Sequence, residues 1–395
     1  MPDNSYDVIV IGGGVIGAST AFHLKQLGAG RVLMLERNQI CTGGTAKSCA
    51  ICRSHYSIAT NTELAVKSHE IFRNFPGYVG AKDAASGWVE SGYLILADDA
   101  MAESLSGNLR MQAGVGAETY EISKAEAKKL HPLLNLDDVS IVGYEPDSGY
   151  ADPYLTTTGF VSGARALGVE VKSNTPVTGL LRDGDRVTGV QTPAGDFHAG
   201  TVFSAIGPWS QIYRNWLGLE LPLEVSKHVV LTFRVAEDYQ RTLPIVKDLT
   251  VDNKMYFRPA SGGVVLVGTG DHGDPMAEAD DLDENVSDDF VLLQGGQIAN
   301  RMPDFAEAQL VDSWTGPYDI PPDWNPVLGP VDGIEGFYLA YGFSGHGFKL
   351  APMLGKVLAQ DILGQDTDVH IGAYGLGRFA EGKLLTGAYG IGSIS

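Results

Sequence analysis

Tyr6-Asp-Val-Ile-Val-Ile-Gly-Gly-Gly-Val-Ile-Gly-Ala18 is the stretch on which the fold of this chain turns. An apolar strand runs straight into a glycine-rich turn, the arrangement that receives a dinucleotide. Gly12 lets the chain leave the strand tightly, Gly14 lets backbone approach a pyrophosphate, and Gly17 lets the following helix lie close to the sheet. The helix start then offers unpaired N–H groups and partial positive charge to the phosphates.

Working outward, an amphipathic helix is expected from about Ala18 to Leu27, with Gly28 as its stop and Val32-Leu-Met-Leu-Glu36 as the next strand. Glu36 stands roughly 20 residues beyond the glycines, where a carboxylate accepts both hydroxyls of an adenosine ribose and repels a 2′-phosphate. A plain glycine turn in some other α/β protein is the competing reading. The helix, strand and acid that follow in order weigh against it.

The chain has 395 residues, enough for two domains. Lys and Arg total 28 against 48 Asp and Glu, a formal charge of -20. That balance argues against nucleic acid and acidic membranes as partners, and fits either a soluble surface or a salt-rich habitat. No apolar run approaches the roughly 18 to 20 residues that span a bilayer, and no basic leader precedes the first strand. A soluble, cytoplasmic protein without a transmembrane segment or secretory signal is expected. Cys41, Cys49 and Cys52 suit a reducing compartment. With His55 they could form a four-ligand zinc set, but the preferred reading is a loop after the nucleotide unit, with no metal.

Leu64, Ala65, Ser68, Ile71 and Phe72 mark one face of a helix. Gly87 to Leu96 alternates as a half-buried strand, and two helices follow, the second opened by the capping box Ser123-Lys-Ala-Glu126. A helix runs from Asp152-Pro153 to about Leu167, then a strand at 169–172. Val177 to Leu181 and Val187 to Gln191 read as a hairpin around Asp183-Gly184, and Thr201 to Trp209 resumes an apolar strand. Strands are expected at 229–235, 255–258 and 264–269, a helix at about 286–301, and a loose tail at 390–395.

A second strand, glycine loop and helix start comes late: Phe337 to Tyr341, then Gly342-Phe-Ser-Gly-His-Gly-Phe-Lys349, then a helix from about Leu350 to Leu363. A nicotinamide enzyme needs only the first glycine site. A flavin enzyme must also hold a ring system far from the adenosine, and N–H groups at this second helix start suit the charge that gathers on a reduced flavin.

With that loop, Gly12–Gly17 and Glu36, the segments Ile51-Cys-Arg53-Ser-His-Tyr56, Pro146-Asp-Ser-Gly149, Asp152-Pro153 and Ala205-Ile-Gly207-Pro-Trp209 give a chain that resembles the FAD enzymes of the glycine oxidase, sarcosine oxidase and D-amino-acid oxidase family, nearest its sarcosine-oxidase-like branch. The resemblance implies an α/β fold with an α+β second domain: a Rossmann-like FAD-binding domain from 1–85, 145–216 and 323–395, and a substrate domain from 86–144 and 217–322 on a mixed, largely antiparallel sheet. It implies oxidation of the C–N bond of an amino acid or N-alkyl amino acid, with an imine as product and oxygen or another acceptor taking the electrons. By the same resemblance, Arg53 and Lys349 hold a substrate carboxylate and Tyr256 walls the pocket, with His55 and Tyr56 beside it. FAD would be held by Gly12, Gly14, Val15, Ile16, Gly17, Glu36 and Arg37; by Gly44, Thr45, Lys47 and Ser48; by Val177, Ala205, Gly207 and Gly316; and by Gly342, Ser344, Gly345, His346, Gly347, Phe348 and Lys349.

The chain departs from that pattern in three places. Where covalent sarcosine oxidases carry the flavin-linking cysteine, in the segment matching Trp314 to Asp319, this chain has Gly316, so dissociable FAD is expected. Leu266 stands where those enzymes place an oxygen-activating lysine, which favours an acceptor other than oxygen. Their pocket histidine has no clear match, Gly270 lying closest and His272 two further on. Two other readings stay open: a nicotinamide dehydrogenase, which leaves the second loop without a purpose, and a flavoprotein subunit that acts through a partner. A homo-oligomer or hetero-oligomer is compatible with each.

Overall fold

From Val8 onward, strand Ser5–Ile11 is apolar on both faces because it runs through the middle of a covered sheet. It pairs in parallel with Val32–Leu35 on one side and Phe197–Ser204 on the other. Glu170–Lys172 lies beyond the first neighbour and Ile334–Tyr341 beyond the second, and the ribbon Gly179–Asp183 with Arg186–Gln191 closes that edge. The computed structural model describes residues 4–235, 242–270 and 273–390. His272 and residues 391–395 of the expected tail lie outside the described residues.

Helices Val15–Gln26, Ala59–Arg73, Pro153–Ala166 and Gly347–Ile362 cover one face of this sheet, sharing a core with Val8, Val10, Met34 and Phe203. Each fully buried aliphatic side chain in such a core contributes about 1.5–3 kcal/mol. The first helix differs from its expected form. It begins at Val15 rather than Ala18, and every residue from Val15 to Leu24 is buried. It is wedged between the sheet and the helices Pro153–Ala166 and Gly347–Ile362, so it has no face left for a polar stripe. The late helix likewise begins at Gly347, inside the glycine loop and before the expected Leu350.

A second sheet carries the strands Asp274–Met276, Glu224–Arg234, Val264–Gly268, Tyr256–Ala260, Ile245–Asp248, Tyr93–Ala97, Ile141–Glu145 and Tyr120–Ile122, in that order. Gln309–Ile320 pairs along the free side of Glu224–Arg234. Within this sheet, only Ile245–Asp248 with Tyr93–Ala97 is a parallel pair among the described strands, so the sheet is mixed and largely antiparallel.

The segment read as one half-buried strand over 87–96 is in fact two. Val89–Glu90 joins Gly149–Tyr150 and, through it, Ile51–Cys52 in a small sheet. Gly92 turns the chain at φ +79, and Tyr93–Ala97 enters the second sheet buried on both faces. Leu94 and Leu96 pack with helix Asp288–Arg301, while Tyr93 and Ile95 pack with Ile51, Tyr150 and Ile245. The capping box forms as expected: Ser123 Oγ accepts from Glu126 N–H, and the Glu126 carboxylate accepts from Ser123 N–H.

Candidate active site

The first strand ends at Gly12, which has φ +111 and donates its N–H to Leu35 O at 2.9 Å. A Cβ there would strike the Ala205 carbonyl, and one on Gly17 would strike the Gly12 carbonyl, so neither position admits a side chain. Gly14 opens the helix without a side-chain cap. Thr45 Oγ1 reaches across to accept from Val15 N–H at 3.2 Å. At the end of the second strand, the Glu36 carboxylate accepts from Gly13 N–H at 2.6 Å and from Asn38 N–H at 2.7 Å, which fixes it at the rim.

From this corner a cleft of about 730 Å³ extends to the second glycine loop. Of the residues expected to hold FAD, Gly12, Gly14, Val15, Ile16, Glu36, Arg37, Gly44, Thr45, Lys47, Ser48, Val177, Ala205, Gly207, Gly316, Gly345, Gly347 and Phe348 line it. Gly17, Gly342, Ser344, His346 and Lys349 do not. Gly17 supports the turn from within, as its blocked Cβ position shows.

Gly342 and Ser344 shape the loop instead. Gly342, at φ +77, donates to Asp319 Oδ2 at 2.6 Å, and Ser344, at φ +46, donates its N–H to Asp319 O at 3.0 Å. Burial pushes the Asp319 carboxyl up to about 6 despite the backbone donors that oppose the shift. Asp319 was not expected as a functional residue; its signal was the acid ending the quoted Trp314 segment.

Two cleft-lining cations are engaged by protein partners. Arg37 stacks over Trp209 at 4.3 Å and pairs with Asp280 at 3.0 Å, and Trp209 Nε1 donates to the same carboxylate oxygen at 2.6 Å. Lys47 pairs with Glu284 at 2.8 Å. The segment around 280–284 thus straps the outer wall of the cleft from the second sheet's side.

Beyond the second glycine loop lies the expected substrate side. Arg53 is buried, stacks over Tyr56 at 4.5 Å, and donates through Nη1 to His55 O. Lys349 reaches the same region from helix Gly347–Ile362; burial and then the Arg53 charge bring its ammonium down to about 7. Tyr256 hydrogen-bonds Tyr318 and takes a contact from Cys49 Sγ at 3.2 Å, with its hydroxyl held well above its usual range by burial. The structure therefore brings Arg53, Lys349 and Tyr256 to one buried neighbourhood.

Apart from the expected His55, several members of that neighbourhood carried no motif. Glu145 is buried; one oxygen accepts from Ser54 N–H at 3.0 Å and Ser148 Oγ at 2.7 Å, and the other lies 3.8 Å from His55 Nδ1. Burial raises its carboxyl, opposed in part by Arg53. His55 is driven down to about 3 by burial and by Arg53, so it is neutral; its ring meets Gln112 on one side and the Tyr389 hydroxyl, at 2.9 Å, on the other. His228 lies face to face with Tyr318 at 3.7 Å. Lys247 is a further buried cation, 5.6 Å from the Tyr256 ring centre. Leu266, on the strand beyond Tyr256, is apolar as the sequence indicated, and Lys247 stands on the strand to the other side. Cys41, Cys49 and Cys52 contact Pro153 O, Tyr256 and Ala50 O respectively, and no grouping of metal-ligating side chains occurs among the described residues.

The family model described as DAO, FAD dependent oxidoreductase, matches residues 7–361. The chain belongs to that family. FAD is accordingly the group that the glycine cradle and Glu36 fit, in a cleft long enough to reach from one glycine loop to the other. The chain is 29% identical to the human mitochondrial sarcosine dehydrogenase over 94% of its own length, but spans only 41% of that protein. It is 28% identical to sarcosine oxidase subunit beta of Arthrobacter sp, covering 97% of this chain and 93% of that one. Among solved structures, L-proline dehydrogenase from P. horikoshii superposes with a TM-score of 0.89 at 27% identity, covering 97% of this chain and all of that one. Among the described residues, no helix of this FAD dependent oxidoreductase is long and apolar enough to cross a membrane.

Proposed function

We propose that this protein oxidises the C–N bond of an amino acid, with secondary and cyclic amino acids as the substrate class. The observation that carries the reading is the convergence of Arg53, Lys349 and Tyr256 in one buried neighbourhood beside the FAD cleft. When bound, FAD supplies the two-electron sink for a hydride from the carbon beside nitrogen, leaving an imine for water to hydrolyse.

The chain's residues do the positioning. Arg53 offers a fork of donors to the substrate carboxylate, and Lys349 adds a second charge whose protonation the anion restores. Tyr256 closes the pocket from the second sheet. The same cations that depress His55 and His346 also disfavour an ammonium, so the substrate nitrogen is held as the neutral amine that hydride loss requires. In this reading the first sheet and its helices form the cofactor domain and the second sheet the substrate domain. FAD is non-covalent, with Gly316 at the linking position, and Leu266 leaves oxygen a poor acceptor. A cytoplasmic protein fits the composition, and the relative named as a subunit makes assembly with other chains the natural form to look for by native mass.

Anaerobic addition of sarcosine, proline, pipecolate and glycine to the FAD-loaded protein tests the reading. Bleaching of the flavin band by a secondary amino acid is the expected result, with slow return of colour in air. A flavin that no amine bleaches would sink the proposal.

A further inference from the structure

Among the described residues, three arginine or lysine side chains line the cleft, and each pairs with a carboxylate: Arg37 with Asp280, Lys47 with Glu284 and Arg214 with Glu220. Asp319 lines the same cleft on different terms. Its Oδ2 accepts from Gly342 N–H at 2.6 Å, Phe343 N–H also favours its charged form, and a Cβ on Gly207 would lie 3.9 Å from Oδ2. Among the described residues no side chain donates to this carboxyl and no cation pairs with it.

Strand register sets the position. Asp319 is the next-to-last residue of Gln309–Ile320, opposite Val225, and its backbone carbonyl holds Ser344 N–H. It therefore stands where the Gly207 turn meets the second glycine loop, with only 6% of its surface exposed.

Backbone donors favour its charge, but burial outweighs them and brings the carboxyl up to about 6. Filling the cleft with a dinucleotide adds two pressures of the same sign: a pyrophosphate brings negative charge, and displaced water no longer solvates the carboxyl. A neutral carboxyl offers an acceptor oxygen and an O–H donor. Gly342 already takes the acceptor.

Burial keeps the His346 ring, in the same loop, well below its usual value and the Tyr318 and Tyr341 hydroxyls above theirs. Arg378 and Asp323, whose charges also reach Tyr341, pair with each other at 2.8 Å, and Lys227, further along the strand of Val225, pairs with Asp274 at 4.0 Å. The turn Gly207–Ile212 carries no titratable side chain. His228, stacked on Tyr318, is the group the test must separate from Asp319.

We propose that Asp319 is a proton-linked latch for the cofactor: as a neutral acid it holds Gly342 N–H with one oxygen and donates through the other to an oxygen of FAD, so that binding takes up a proton from solvent. The inference rests on FAD being dissociable and is independent of the substrate. Below about 6 the acid is neutral in the free and the loaded protein; above that value only loading restores its proton, so affinity is full at low pH and falls as pH rises until the loaded value is passed.

FAD release from the loaded protein on dilution, read by flavin fluorescence between about pH 5 and 9, tests this. The Kd should be level below about 6 and then climb by up to about tenfold per pH unit. Asp319→Asn keeps an acceptor and carries a donor that does not titrate, so its Kd should be level throughout and, at about pH 8, lower than that of the unaltered protein. Calorimetry in buffers of different ionisation heat, with FAD added to the flavin-free full chain near pH 7, should count about one proton taken up per FAD and none in Asp319→Asn.

A Kd of the unaltered protein that ignores pH overturns the inference. So does a slope that survives in Asp319→Asn, which would pass the titration to His228 or another group. A weaker hold on FAD in Asp319→Asn at every pH also overturns it, since the carboxyl would then act as an ionised acceptor. Yellow colour that stays on the denatured chain overturns both the dissociable cofactor and the latch. If a secondary amino acid bleaches the flavin while the Kd ignores pH, the latch alone falls and the oxidation reading stands.

Discussion

The two ends of the cleft are built on opposite principles. At the nucleotide end, backbone and absent side chains form the site, and the nearby charges of Arg37 and Lys47 are half-exposed and paired with Asp280 and Glu284. Beside the other end, outside the lining of the cleft, Arg53, Lys247, Lys349 and Glu145 are buried, and they come from four distant segments. The first end tolerates changes of charge but not of volume. The second depends on charge and is sensitive to proton balance, because burial raises the cost of every unpaired ion.

The largest expected effect is at the first end. Gly12→Val places a branched side chain at φ +111 against the Ala205 carbonyl, and overpacking of this kind costs about 1–3 kcal/mol before backbone strain is added. The purified variant should be colourless and melt at a lower temperature; retained flavin with an unchanged melt would show that volume is not the constraint there.

Next in size is Arg53→Met. Removing one partner of a buried charge-assisted contact costs about 2–5 kcal/mol, so the Kd for methylthioacetate, a carboxylate without a nitrogen to oxidise, should rise by about thirtyfold or more while flavin content holds. Calorimetry beside the visible spectrum separates the two ends of the cleft; loss of flavin together with affinity would break the division drawn here.

A smaller effect separates Lys349 from Arg53. Lys349 is charged below about 7 and neutral above it, so carboxylate binding should weaken as pH rises through that value. Above it, the Kd for methylthioacetate should climb by up to about tenfold per pH unit until the ligand-bound pKa is passed. In Lys349→Met the slope should vanish. A slope that persists would assign the titration to another group.

The smallest effect is at the strap. Asp280→Asn and Glu284→Gln each remove an exposed pair worth about 0.2–1 kcal/mol, so flavin release, followed by fluorescence, should quicken by a few fold, and added salt should produce the same change in the unaltered protein. Release rates independent of salt would mean that the strap does not retain the cofactor.

The two ends also differed in how much of them could be read in advance. The cofactor cradle was legible because its parts are contiguous: a strand, a turn that only glycine can make, a helix start, and an acid at the end of the next strand. The same logic exposed the second loop and, through the resemblance, Arg53, Lys349 and Tyr256. Lys247, Glu145 and His228 escaped because little local distinguishes them from ordinary strand residues, and Asp319 escaped although it ends the quoted Trp314 segment. The hint available for Lys247 was two charges within Ile-Val-Lys-Asp, inside a stretch too apolar to lie at the surface. The misreadings share a cause. Helix Val15–Gln26 and strand Tyr93–Ala97 are covered on all sides by elements remote in sequence, and periodicity reports only one-sided burial.

Taken alone, the amino-acid sequence determined where the backbone must bend without side chains and where helix starts face the cleft, because those constraints act within a few bonds. Which charges meet was decided by tertiary structure. Strand register set Lys247 opposite Tyr256, chain crossings brought Arg53 and Lys349 together, and burial then pushed the Lys349 ammonium down and the Glu145 carboxyl up, each also under the Arg53 charge.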